Sequence, residues 1–201
     1  MVTIEQYALS ETGLYSLSIS DNVVSLGQNA LANCLNISSI TIGNGIKTIE
    51  YQCLYKCQNL STLNIGENVE KIGVDALAYC KMLEVLVLPA KLTMVDDSSF
   101  WNCHSLRNIT FLGPINSITQ YLFGSCHALD TIIFNNTAQV NDTVIIPDNI
   151  DSIRRSAFID CYSIKHIRLG KNVSSIEPYA FSGCTGLISI DLNEAVSSIG
   201  E

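Results

Sequence analysis

Seven of the eight cysteines recur at a nearly fixed interval, and this constrains the fold more than any other feature of the sequence. The successive intervals are 23, 23, 23, 23, 35 and 23 residues. The cysteines are Cys34, Cys57, Cys80, Cys103, Cys126, Cys161 and Cys184. Self-similarity at a constant period indicates an array of stacked structural units, each of which needs its neighbours to bury its apolar face.

Apolar residues keep the same phase as the cysteines. The unit IRLGKNVSSIEPYAFSGCTGL, from Ile167 to Leu187, shows the pattern most clearly. An apolar-x-apolar pair such as Ile167/Leu169 predicts a short strand with both side chains on one face. The spacing of three to four residues that follows is typical of a helical or 3₁₀ turn. Each unit is therefore predicted to run strand, turn, short helix and return.

The repeated pattern L-x-x-I-x-I-P/G-x-x-V-x-x-I-x-x-x-A-F-x-x-C covers nearly the whole chain and resembles the BspA-like leucine-rich repeat family. The departures are Gly66 and Gly170 where the family often has proline, Cys53 in place of alanine, and extra residues in the sixth unit. The resemblance implies an α/β solenoid. It would form a curved right-handed superhelix with a parallel β-sheet on the concave face and short helices or 3₁₀ turns on the convex face.

The repeats predict a single leucine-rich-repeat domain over residues 1–201, with partial units at both ends, and we expect the chain to be a fragment of a longer array. The sixth unit is longer, with an interval of 35 positions from Cys126 to Cys161, because of an insertion near 135–146. The insertion separates two strand-like segments, Ile132–Phe134 and Val144–Ile146. An Asn/Thr-rich loop at about 135–143 is expected to protrude, either as part of a binding face or as a tolerated surface excursion.

The cysteine column is predicted to be a row of buried thiols that pack as small apolar side chains. Two alternatives are weaker. The pairs Cys103-His104 and Cys126-His127 could converge on zinc, but neighbouring side chains point apart and C-x-x-C is absent. A nucleophilic cysteine is disfavoured because an apolar site raises the thiol pKa. The sequence contains neither a nucleophile–base set nor a phosphate-binding loop, so no catalytic, cofactor or metal residue is predicted and the chain is not expected to be an enzyme.

The residues between the inward strand positions are expected to face outward on the concave sheet. The candidate partner-binding residues are Thr62, Asn64, Val85, Val87, Asn108, Thr110, Thr131, Ile133, His166 and Arg168. Hydroxyl and amide groups dominate, and Val85, Val87 and Ile133 form an apolar centre. Exposed apolar residues within a polar surface suit a protein partner, although β-branched residues also favour strands for reasons unrelated to binding.

Trp101 is the single tryptophan and follows the core residue Phe100, which places it on the predicted convex side. It is either a partner anchor or a cover for the neighbouring turns. Five of the 11 Lys and Arg residues lie within 154–171, among aspartates. A solvated mixed surface explains this cluster better than a site for an acidic partner does.

Charge and hydropathy narrow the function classes. The net charge of −8 argues against nucleic acid as a general partner. Membrane insertion is not expected because no apolar run approaches the ~18 residues of a spanning helix.

The family resemblance implies a non-enzymatic protein-binding or adhesion module, secreted or at the cell surface, with a host or matrix protein as ligand. The alternative is an intracellular, cytoplasmic interaction scaffold, favoured by the unoxidised-looking thiols. End-to-end self-association is a further expectation.

Overall fold

The computed structural model describes residues 1–135 and 142–200, which wind into stacked coils. The strands are β1 (Val2–Ile4), β2 (Ser16–Ile19), β3 (Val23–Leu26), β4 (Ser39–Ile42), β5 (Thr48–Ile49), β6 (Thr62–Asn64), β7 (Lys71–Ile72), β8 (Val85–Leu88), β9 (Met94–Val95), β10 (Asn108–Phe111), β11 (Thr131–Phe134), β12 (Thr143–Ile145), β13 (Ser152–Ile153), β14 (His166–Arg168), β15 (Ser175–Ile176), β16 (Ser189–Asp191) and β17 (Ser198–Ile199). Every pairing between named strands is parallel, so the protein is a β-solenoid.

The strands form two columns. The first column contains β2, β4, β6, β8, β10, β11, β12, β14 and β16, and it divides into three three-stranded sheets. The second column contains the shorter strands β1, β3, β5, β7, β9, β13, β15 and β17. Paired residues of the first column are 23 positions apart, as in Ser16↔Ser39 and Asn108↔Thr131. The sequence period is therefore the length of one turn of the solenoid.

The interior is built from the apolar positions that the sequence pattern predicts. In the strands of the first column, successive side chains point to opposite faces. Alternate residues are therefore buried, as in β8, where the pattern is exposed, buried, exposed, buried; in the last strand of the column, β16, the inward Ile190 is only partly buried. From Phe100 onward, phenylalanine joins aliphatic residues in the core, and the rings stack from coil to coil. The Phe123 ring lies 5.9 Å from Phe100 and 5.4 Å from Phe158, centroid to centroid.

The in-phase cysteines line the interior, which confirms the predicted thiol column. All eight cysteines are free; seven are buried, and Cys184 is partly buried. Each in-phase thiol donates a hydrogen bond to a main-chain carbonyl of the preceding coil. Examples are Cys103 Sγ to Leu77 O at 3.3 Å and Cys126 Sγ to Phe100 O at 3.1 Å. The cysteines therefore make polar contacts between coils as well as filling space, which the apolar pattern does not predict.

The short helices predicted for the convex side are not confirmed, since no residue in the described ranges is helical. In the second half of a coil, main-chain amides alternate between two kinds of partner. Ala30 N–H donates to Gly27 O at 3.2 Å within its own turn, whereas Leu31 N–H donates to Cys53 O of the next coil at 2.9 Å. A helix would direct every such amide to the carbonyl four residues earlier. Successive turns bonded to the neighbouring coil replace it.

Left-handed backbone explains why these segments turn without becoming helical. Each coil places two residues at positive φ, four positions apart, which breaks the run of right-handed φ that a helix needs. These pairs are Tyr7/Glu11, Asn29/Asn33, Gln52/Lys56, Asp75/Tyr79, Ser98/Asn102, Tyr121/Ser125, Ser156/Asp160 and Tyr179/Gly183. The spacing of three to four residues, which predicts a helical or 3₁₀ segment, belongs instead to this series of turns.

The long sixth unit contributes two strands to the first column. They are β11 and β12, close to the predicted segments Ile132–Phe134 and Val144–Ile146. In the second column, Ile118 bridges directly to Ile153, 35 positions later. The extra residues thus add a strand to one column only. The predicted protruding loop at about 135–143 lies mostly outside the described residues, because 136–141 are not described.

Candidate functional site

The surface predicted to be concave consists of the outward side chains of the first column, here called the strand face. Thr62, Asn64, Val85, Val87 and Arg168 are exposed on it. The other predicted residues are only half-buried, namely Asn108, Thr110, Thr131, Ile133 and His166. The parallel register aligns them in rows; Val87, Thr110 and Ile133, for example, occupy equivalent positions in three successive strands.

A concavity of about 600 Å³ opens on the strand face over β6 and β8. Val85 and Val87 form part of its wall and are 55% and 52% exposed. Thr62 and Asn64 lie in the same concavity. The structure therefore brings together four of the ten predicted partner-binding residues. Ile133 does not line the concavity, so the apolar centre is narrower than the sequence suggested.

Sequence reasoning missed several lining residues, of which Leu112 is the most informative. Leu112 is 37% exposed and lies in the wall together with Pro89 and Lys91. It directly follows β10, at a position that other units fill with Gly43, Gly66 or Pro89. An exposed leucine in place of glycine or proline was a readable signal. It gives the concavity a third large, exposed apolar side chain besides Val85 and Val87, from a neighbouring coil.

The far end of the strand face is polar, and its side chains pair across coils. His166 Nδ1 lies 2.9 Å from Ser189 Oγ, and Arg168 Nε lies 3.5 Å from Asp191 Oδ2. Two other basic residues of the 154–171 cluster also have acidic partners, at Glu177 and Asp148. Pairing of these charges supports a solvated mixed surface there. The concavity at β6 and β8 is the stronger candidate site.

Trp101 lies within a row of aromatic rings in the turn segments of successive coils. Its ring centroid is 5.7 Å from Tyr79 and 5.8 Å from Tyr121, and Tyr79 in turn contacts Tyr55 at 5.5 Å. The tryptophan is half-buried. These contacts show that it covers the neighbouring turns; its role as a partner anchor stays a prediction.

The buried thiols are poorly suited to chemistry. Burial raises the pKa of Cys57 and Cys103 to about 12 and that of Cys184 to about 11. With these raised pKa values, the thiols stay protonated near neutral pH. Since a nucleophilic or metal-binding cysteine acts as the thiolate, these groups are unreactive. The Cys103 thiol also points at a carbonyl, whereas the neighbouring His104 ring stacks on His127 at 4.5 Å. This arrangement disfavours the zinc alternative.

The His104–His127 stack makes stability depend on pH. Desolvation, followed by the charges of His127 and Lys81, lowers the pKa of His104 in the folded chain. The unfolded chain therefore binds more protons below its histidine pKa of about 6.5. The contribution of neutral His104 is complete above that pH, and it falls as the pH drops toward the lower, folded value.

We expect the denaturant concentration at the unfolding midpoint to decrease as the pH is lowered from about 7.5 to about 5. One cause is the loss of the contribution of neutral His104. The variant His104→Asn should show a smaller pH dependence. His166→Asn, on the strand face, is the control and should behave as the parent. An undiminished pH dependence in His104→Asn would show that this histidine is not responsible.

The profile described as BspA type Leucine rich repeat region matches the chain in six copies, over residues 2–130 and 128–201. A search of curated proteins gives no significant match. No helix long and apolar enough to cross a membrane occurs in the part of the chain that the structure describes.

Solved structures of bacterial leucine-rich repeat proteins are similar to the solenoid. One from Bacteroides ovatus has a TM-score of 0.68 at 18% identity, covering 98% of this chain and 60% of its own length. One from T. pallidum has a TM-score of 0.66 at 23% identity, covering 98% of this chain and 77% of that protein. A leucine rich cell surface protein from Faecalibacterium prausnitzii has a TM-score of 0.53 at 19% identity, with coverages of 98% and 82%. At these identities the likenesses show the fold alone. The chain spans 60% of the Bacteroides ovatus protein.

Proposed function

The chain belongs to the BspA-type leucine-rich repeat family, and on that premise we propose that it is a non-enzymatic module that binds a protein partner on its strand face. The observation that carries the proposal is the concavity at β6 and β8. It combines exposed Val85, Val87 and Leu112 with the polar side chains of Thr62 and Asn64. An apolar centre with a polar rim is the arrangement found in protein interfaces.

We further propose that the module acts at the cell surface or after secretion, in adhesion to a host or matrix protein. Support comes from the similar Faecalibacterium prausnitzii protein, which is described as a cell surface protein. The net charge of −8 is consistent with a protein ligand and argues against nucleic acid. End-to-end self-association stays a prediction.

One observation favours a second candidate, an intracellular interaction scaffold. All eight cysteines are free thiols, and chains in reducing compartments keep their thiols unpaired. Burial of these thiols also protects them from oxidation outside the cell, so the observation fits both locations. The proposed binding face is the same in either case.

The double variant Val85→Asp/Val87→Asp tests the proposal. Binding to immobilised fibronectin, laminin and collagen would be measured by surface plasmon resonance, and the affinity for a bound partner should fall by about tenfold or more. Two buried carboxylates without partners would oppose the interface.

The matched control is Leu35→Asp/Met82→Asp, which makes the same change of charge at two apolar side chains that are 50% and 49% exposed and lie outside the concavity. The control should bind as the parent does. Unchanged binding by a folded Val85→Asp/Val87→Asp variant would refute the strand-face site.

A further inference from the structure

Strands β6 and β8 belong to successive coils but are not joined by a hydrogen-bonded ladder. At four junctions, β4–β6, β8–β10, β10–β11 and β14–β16, the first residue of the later strand donates its amide to the preceding coil, whereas, among the described residues, the β2–β4 and β12–β14 ladders form without this bond. Thr62 N–H donates to Ser38 O at 3.0 Å, and Asn108 N–H donates to Glu84 O at 3.1 Å. The equivalent bond from Val85 N–H to Ser61 O is absent from the described part of the chain. We call this open junction, 61–65 against 85–87, the seam.

The other end of the seam is open as well. In later coils, the residue after the strand donates backward along the ladder: Ile146 N–H donates to Arg168 O at 2.9 Å, and Leu169 N–H donates to Asp191 O at 3.1 Å. Within the described ranges, Ile65 N–H makes no such bond to Val87 O. The seam therefore presents unpaired donors and acceptors at both ends.

These main-chain groups lie in the concavity of the strand face. Ser61, Ile65, Val85 and Val87 all line its volume of about 600 Å³. This volume is in the range of small-ligand sites, about 300–1,000 Å³. Main-chain polar groups gain most from pairing when apolar side chains limit their access to water. The site thus combines an apolar wall with groups that could pair with another main chain.

The charges of the lining residues indicate the net charge of a suitable ligand. Among the lining residues, Glu67 and Lys91 carry charges of opposite sign, and Lys91 Nζ bonds Asn68 Oδ1 at 2.6 Å. The lining is therefore neutral overall. A neutral ligand complements it, whereas a strongly charged segment would lose hydration without gaining a partner.

We propose that the seam binds an extended, neutral peptide segment of the partner, whose main chain pairs with Val85 N–H and Val87 C=O and whose apolar side chains pack on Val85, Val87 and Leu112. Strand addition of this kind takes affinity from main-chain bonds and specificity from alternate side chains. The inference rests on the proposed function, since it names the form in which a protein partner would enter the strand face.

Amide hydrogen exchange, measured by NMR on the free protein, is the first part of the test. Val85 N–H should exchange about 100-fold faster than Asn108 N–H, because only the latter is bonded to the preceding coil. Equal protection of the two amides would show that the seam is closed and would overturn the proposal.

The second part adds the capped peptide acetyl-TVFVT-amide as a probe. The peptide should shift the Val85 resonance and slow its exchange. A copy with N-methylated main-chain amides keeps the side chains but lacks the donors, and should bind at least about tenfold more weakly. No binding, or equal binding of the methylated copy, would overturn the proposal.

The variant Leu112→Ser examines the apolar wall. It should weaken peptide binding by about fivefold to tenfold, on the scale of the lost apolar contact. Leu35→Ser, at an exposed leucine outside the concavity, is the matched control and should bind as the parent does. Equal affinities would contradict the wall contact. If peptides fail while matrix proteins still lose binding in Val85→Asp/Val87→Asp, the seam inference is wrong and the proposed function stands.

Discussion

A chain that lacks residues 35–57 is expected to fold into a shorter solenoid with the same β-structure per residue and cooperative unfolding. The deletion joins Cys34 to Gln58, which is the equivalent of Leu35 one period later. Strand β2 can then pair with β6 because both have the register of β4. One coil and one interface between coils are lost, and the new interface is built from equivalent side chains.

A smaller deletion, of residues 35–46, is expected to be more harmful. It removes β4 and the four buried isoleucines Ile37, Ile40, Ile42 and Ile46, but leaves the second half of the coil. Strands β2 and β6 then stand on either side of a coil that contributes nothing to the first column. The loss should exceed about 3 kcal/mol, the scale of a single large core truncation.

Circular dichroism, gel filtration and guanidinium unfolding of both chains measure these outcomes. If both deletions lost the fold equally, the coils would not be interchangeable and the 23-residue period would not be the length of one turn. If both were tolerated, the interior would not depend on register.

The first column could be predicted from the sequence because two independent periods define it. Alternation of period two gives the buried face of each strand, and the 23-residue period gives the pairing of one strand with the next. The second half of each coil could not be predicted in the same way. A spacing of three to four residues is shared by helices and by series of turns, and the residues at positive φ include Tyr79, Lys56 and Ser125 as well as the asparagines Asn29 and Asn33. Side-chain type therefore gives only part of the signal.

The candidate site was predicted in part for similar reasons. Val85 and Val87 stand out as outward apolar residues, and Leu112 could have been found as an exception at a position where the other units have glycine, proline, serine or asparagine. The seam could not be found, because β8 has a regular strand pattern and nothing in it indicates a missing ladder. Main-chain pairing between strands depends on how whole coils pack on each other, so no single residue type indicates whether it forms.

The cysteine column has one property that the sequence predicts and one that it does not. Burial of the cysteines follows from their position in the 23-residue repeat. Their hydrogen bonds depend on a carbonyl with a free acceptor position: Leu77 O accepts the amide of Cys80 within its turn and also the thiol of Cys103 from the next coil. A carbonyl oxygen has two lone pairs and can accept both. The small size of cysteine and its weak donor explain why this residue type fits the position.

Thiol alkylation tests the stacked interior most directly, because one experiment reports on every coil. The chain would be treated with N-ethylmaleimide near about pH 7.5, with and without guanidinium, and its mass measured. Reactivity requires an accessible thiolate. In the native chain Cys184, which is partly buried, is the one cysteine expected to react, and it should do so slowly.

A buried cysteine column predicts at most one adduct on the native chain and eight on the unfolded chain, since all eight cysteines are free. Rapid addition at two or more sites of the folded chain, or a mass deficit from disulfides, would contradict the buried column and with it the stacked coils that hold the strand face outward.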